Sequence, residues 1–123
     1  NMTVAGAPQD TSLACLSCHD GSLALGALIN FPGTATADTI GTGGANLGSD
    51  LTNDHPISIT YDPTQDTAFV AAVGGQVGGL QLFGPNADQV ECGTCHSVHD
   101  NTIAPFLRIS NASSALCTSC HIK

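Results

Sequence analysis

Val90-Glu91-Cys92-Gly93-Thr94-Cys95-His96-Ser97-Val98-His99-Asp100 holds two cysteines and two histidines within eleven residues. Its centre, Cys-x-x-Cys-His, recurs at Cys15-Leu16-Ser17-Cys18-His19 and at Cys117-Thr118-Ser119-Cys120-His121. Together the three pentamers use all six cysteines of the chain. The spacing has a chemical reason. Haem c is joined to protein by thioethers from two cysteines, and a two-residue gap sets both sulfurs along one helical turn. The adjacent histidine then lies under the iron and becomes its proximal ligand. Cys15, Cys18, Cys92, Cys95, Cys117 and Cys120 are thus the cofactor-binding residues, with His19, His96 and His121 as proximal ligands. Three haem c groups are expected.

Other uses of paired cysteines explain less. Disulfides do not require a histidine after each pair. A thioredoxin-like Cys-x-x-Cys occurs once, near a βαβ pattern, which is absent here. A zinc ribbon from Cys92, Cys95, Cys117 and Cys120 leaves Cys15 and Cys18 orphaned and the histidines unexplained.

Three irons have six axial positions, and the chain holds five histidines. The two outside the pentamers, His55 and His99, are the candidate distal ligands. His99 stands three residues after His96. On a helix the two share a face, so they cannot bind one iron from opposite sides. His99 therefore serves a different, nearby haem. His55 sits in Asn53-Asp54-His55-Pro56-Ile57, where the proline biases it away from helix and suits a loop presenting an imidazole. One position is left. The candidates are Met2, the only methionine, the amine of Asn1, and a five-coordinate iron open to substrate.

The bulk composition agrees with a non-protein core. Only 10% of the 123 residues are charged, where about 25% is usual. Aromatics make up 4%, with no Trp. Small domains with thin cores need disulfides, metals or oligomerisation. Arg108 and Lys123 are the only cations against 10 acidic residues, which argues against nucleic acid as a partner. No apolar run approaches the roughly 18 residues of a membrane span. No signal peptide pattern is visible, and the chain reads as a mature product. Asn1-Met2-Thr3 and Asn111-Ala112-Ser113 match the weak N-glycosylation pattern.

The length fits one domain over residues 1–123. Residues 1–14 read as a polar lead, and Ser22 to Ile29 as a short helical stretch. Gly-rich 31–54 reads as loop. Ile57-Ser58-Ile59-Thr60-Tyr61 alternates like a short strand. Thr64 to Val73 reads as a short helix, and the Gly74-Gly75 and Gly78-Gly79 pairs as turns within a hairpin at 74–85. The expected fold is mostly irregular coil with a few short helices and minimal strand, organised around three covalently bound haems. The separation of Cys95 from Cys117 predicts contact between the second and third haems. The first is expected to be brought in by the middle segment through His55.

The stretches 15–21, 53–61, 90–100 and 106–121 resemble the multihaem c-type cytochromes of anaerobic, metal- and sulfur-cycling prokaryotes. The His-Pro-Ile block and the Cys-His-x-x-His block are the more specific parts. In that family such histidines act as distal haem ligands, which supports His55 and His99. The resemblance implies a periplasmic or extracellular electron carrier, and some relatives polymerise into filaments with a continuous haem chain. The chain departs from full bis-histidine members in lacking a sixth histidine.

Electron transfer is the first functional expectation, since near-complete histidine ligation blocks substrate access. Low charge and abundant small residues suit a self-associating extracellular filament subunit over a soluble periplasmic shuttle. The expected partners are further copies of the chain and redox proteins or an extracellular electron acceptor. A small reductase working at an open haem is the enzymatic alternative, but cations to bind an anion are nearly absent.

Overall fold

The computed structural model of the chain describes residues 2–23, 39–41 and 43–122. Regular structure there is sparse. The helices are α1 (Asp10–His19), α2 (Cys92–Cys95) and α3 (Ala115–Thr118), the last preceded by a 3-10 turn at Ala112–Ser114. The strands are β1 (Ile59–Thr60), β2 (Gln76–Val77), β3 (Leu80–Gln81) and β4 (Gln89–Val90). The fold is mostly coil, with a few short helices and minimal strand. No described helix is long and apolar enough to cross a membrane.

The chain forms two compact units, one made of Asn1–Ser12 with Ile57–Lys123 and the other of Leu13–Pro56. In the first, β1 pairs antiparallel with β4, setting Ile59 opposite Val90 and Thr60 opposite Gln89. The N-terminal residues add to the other edge of β1. Val4 bridges Ile59, and the Thr60 amide donates to Thr3 O at 2.9 Å. The polar lead is therefore a strand-like edge and not a loose end. Met2 packs on the core cluster of Tyr61, Val77, Leu82 and Val90. That cluster is small, as the shortage of large apolar residues requires.

β2 and β3 form the expected hairpin, with Gln76 opposite Gln81. Gly78 and Gly79 fill its two-residue loop at φ +55 and +85, the conformation that a type I′ turn demands. Gly78 has a second constraint. A Cβ there would collide with the backbone of Ser119, so the hairpin tip lies directly on the third motif.

Two expectations need correction. Thr64 to Val73 is a run of turns, not a helix. Asp62 Oδ1 accepts from the Thr64 amide at 3.0 Å and from its hydroxyl, and Asp66 Oδ1 accepts from the Ala68 amide at 2.8 Å. Asp side chains thus offer the backbone local partners that displace helical ones. The first helix also starts earlier than the motif, at Asp10. Ser12 and Leu16 form its buried face, at 0% and 8% exposure. The Ser22 to Ile29 stretch lies mostly outside the described residues.

In the second unit, the described residues are held by turns. The Leu47 amide donates to His19 O at 2.8 Å, and the Asn46 amide to Gly43 O at 2.9 Å. Asp20 and Asp50 close Asx turns on Ser22 and Thr52.

Candidate functional site

Each pentamer is set on a helical turn. Cys15, Cys18 and His19 end α1, and Cys92 to Cys95 are α2 itself. In the second motif the His96 amide donates to Cys92 O at 3.0 Å. In the third the His121 amide donates to Cys117 O at 2.9 Å. The turn carries both sulfurs and the imidazole forward together. All six cysteines are free of disulfides.

The ring nitrogens have a direction. His19 Nδ1 lies 2.7 Å from Ala45 O, and His96 Nδ1 lies 3.0 Å from Pro105 O. His55 Nδ1 lies 3.0 Å from Pro56 O. A carbonyl only accepts, so in each ring Nδ1 donates its proton and Nε2 keeps the lone pair. Metal-bound histidines have this arrangement, in which the outer nitrogen is tied to a carbonyl and the inner one faces the metal. His121 is oriented differently. Its ring lies 4.8 Å from that of Phe69, tilted by 48°. His99 is exposed.

The second motif has a polar frame. The Cys92 amide donates to Ser12 Oγ at 2.9 Å and the Gly93 amide to Thr11 Oγ1 at 3.1 Å. These side chains cap α2 from another part of the chain, satisfying amides that a one-turn helix leaves orphaned. The Glu91 amide donates to Thr94 Oγ1 at 3.0 Å. Glu91 itself is 1% exposed. Its Oε2 accepts from Ser58 Oγ at 2.9 Å. On the far side, the Arg108 amide donates to Cys95 O at 2.9 Å.

The third motif is laced to residues 68–70. The Val70 amide donates to Cys120 O at 2.9 Å, and the Ile122 amide to Ala68 O at 2.8 Å. The Tyr61 hydroxyl is shared between Val70 O at 2.8 Å and Cys120 O at 3.1 Å. Burial, then the neighbouring Cys120, pushes its pKa up to about 12, against the opposing pull of the Val70 contact. The thiols of the last two motifs lie within electrostatic reach. Burial is the main cause that pushes Cys120 up to about 11, with Cys95 and Cys117 adding to it. Cys95 is raised in the same way, by burial and then by Cys92 and Cys117.

The structure thus gathers His96, His99, His121 and Met2 in the first unit, and His19 and His55 in the second. Among the described residues no three His, Cys, Asp or Glu side chains converge on a point that could hold a bare metal ion. The donor set fits haem c, which brings its own four nitrogens and asks the chain only for two sulfurs and axial imidazoles. Sequence reasoning missed the supporting residues Thr11, Ser12, Tyr61, Phe69 and Arg108. All lie outside the pentamers and carry no local pattern.

Residues 84–123, about a third of the chain, match the family model described as "Doubled CXXCH motif". That match covers the second and third pentamers and indicates a c-type-cytochrome-like segment that binds haem covalently and transfers electrons. No curated protein matches the chain.

Proposed function

We propose that the whole chain, residues 1–123, acts as one trihaem electron carrier and as the subunit of an extracellular or cell-surface filament. The observation that carries this reading is the repeated helical turn, found at all three Cys-x-x-Cys-His motifs. At two of them, His19 and His96, the Nδ1 proton is also given to a backbone carbonyl. Bound haem supplies a one-electron iron couple. The chain supplies six thioether sulfurs, the proximal ligands His19, His96 and His121, and the distal ligands. His55 falls in the same unit as the first motif, and serves its haem. His99 and Met2 fall with the other two motifs and are the distal donors there. Met2 and Cys120 both pack on the Tyr61 cluster.

Self-association is favoured by the surface. Val4, Leu13, Val73, Val98 and Ile122 are each more than 60% exposed, on a chain with few charges to oppose contact. Redox proteins or an external acceptor are the terminal partners. A periplasmic shuttle is the alternative setting. Electron microscopy of concentrated native protein is the test. Filaments are expected, and monomers alone at high concentration would remove the filament while leaving the haem reading intact. A high-spin ferric signal that changes with added ligand would turn one site toward reductase chemistry.

A further inference from the structure

Arg108 is the one Lys or Arg among the described residues, and it is fixed to the second motif at two points. Its amide donates to Cys95 O at 2.9 Å. Its Nε donates to Gly93 O at 2.7 Å. That leaves the two outer nitrogens of the guanidinium fork, which match the geometry of a carboxylate. No carboxylate of the described residues pairs with them.

The guanidinium lines a cavity of about 570 Å³, together with Gln76, Gln81, Phe83, Asp100 and Leu107. Ser97, the residue after His96, lines it too. That volume is within the roughly 300–1,000 Å³ of small-molecule sites. Its walls combine apolar Phe83 and Leu107 with amide groups and a single cation. Such walls suit a molecule with a flat apolar body and carboxylate ends.

We infer that Arg108 holds a propionate carboxylate of the haem attached at Cys92 and Cys95. This rests on the haem reading above. Asp100 shares the cavity, with Oδ1 accepting from the Thr102 amide at 2.9 Å and from its hydroxyl at 2.5 Å. Its negative charge offsets that of Arg108, so the cavity has little net pull on a free anion. A propionate tethered by thioethers a few ångströms away needs no such pull, because its effective concentration is high. The scarcity of cations gives the pairing further weight. Each haem adds two propionates to a chain of formal charge −8, and an unpaired carboxylate near an apolar wall is costly.

A cation close to the porphyrin favours the reduced iron. The test uses the haem-loaded protein and the variants Arg108→Gln and Arg108→Lys, with the midpoint potential of each haem read by spectroelectrochemistry. In Arg108→Gln one haem is expected to shift to lower potential while the others stay in place. Arg108→Lys is expected to restore most of that shift. Unchanged potentials in Arg108→Gln would overturn the inference. So would an equal shift in both variants, which would assign the effect to packing. Inorganic phosphate binding to the wild type that disappears in Arg108→Gln, with potentials unmoved, would assign the cavity to a free anion instead. If Arg108→Gln does not mature, wild-type protein carrying haem ¹³C-labelled at its propionates decides. One carboxyl signal is expected to stay ionised in acid after the others protonate, and uniform titration would overturn the pairing. Absence of covalent haem in the wild type would instead defeat the functional reading itself.

Discussion

The second motif and the first are the same pentamer in different surroundings. Around Cys92–His96 the chain has built a frame. Ser12 and Thr11 cap the amides, Glu91 and Thr94 lie buried beneath, and the Arg108 backbone and side chain close the carbonyl end. Around Cys15–His19, the described contacts are those of a helix end. Leu16 is buried, and His19 is tied to the 45–47 loop by its ring and its carbonyl. The lesson is that a haem motif needs only one helical turn of its own. What differs is how much of the surrounding backbone is satisfied by protein before haem arrives.

The largest consequence concerns haem-free protein, made with all six cysteines changed to serine. Amides of the β1–β4 ladder, such as Thr60 and Tyr61, bond within the protein and are expected to keep hydrogen-exchange protection. The Leu47 amide, whose partner is the His19 carbonyl, is expected to lose it. Equal exchange in the two places would dissolve the contrast.

Single substitutions in the frame come next. Glu91→Ala leaves the Ser58 hydroxyl without its buried acceptor and is expected to cost about 1–3 kcal/mol in denaturant unfolding. A loss no larger than that of an exposed change such as Asn101→Ala would mean the buried carboxylate contributes nothing. Gly78→Ala needs a side chain at φ +55, against the Ser119 backbone. It is expected to cost more than about 1 kcal/mol and to impair haem loading at the third motif, measured by intact mass. Ser12→Ala removes the cap on Cys92 and is expected to cost about 1 kcal/mol.

The pH effects are smaller. Tyr61 titrates near 10 when unfolded and at about 12 in the fold. Its contribution is therefore fully present below pH 10 and declines as pH rises toward 12. Tyr61→Phe should flatten that decline in a pH series of melting curves. The acid side does not distinguish the regions. Asp20 and Asp50 in one unit, and Asp62 and Asp100 in the other, are held below the ordinary 3.8 mainly by hydrogen bonds from Ser22, Thr52, Thr64 and Thr102. Each contributes stability above 3.8 that is lost as pH falls through its lowered value. All four are exposed, so the slope should be shallow in both units.

What the sequence made legible was what has a local signature. The glycine pairs marked the hairpin, the alternation at 57–61 marked β1, and the pentamers marked the haem-bearing turns. The start of α1 was hidden because its buried face is one serine and one leucine, which makes no apolar stripe. The segment 64–73 misled because Thr, Ala and Val suggested a helix, while Asp62 and Asp66 closed turns on it. The frame of the second motif was not readable at all. Ser12 and Cys92 are 80 positions apart, and only the fold makes them neighbours. Met2 as a frayed end was a reasonable alternative from position alone. Pairing of Thr3, Val4 and Ala5 with Ser58–Thr60 removes it.

The count of haems is the claim on which everything else depends. Intact-mass spectrometry of native protein under denaturing conditions measures it directly. Three covalently attached haems, with none of the six cysteines free to alkylate, is the predicted result. A mass short of three haems, with Cys15 and Cys18 open to alkylation, would contradict it.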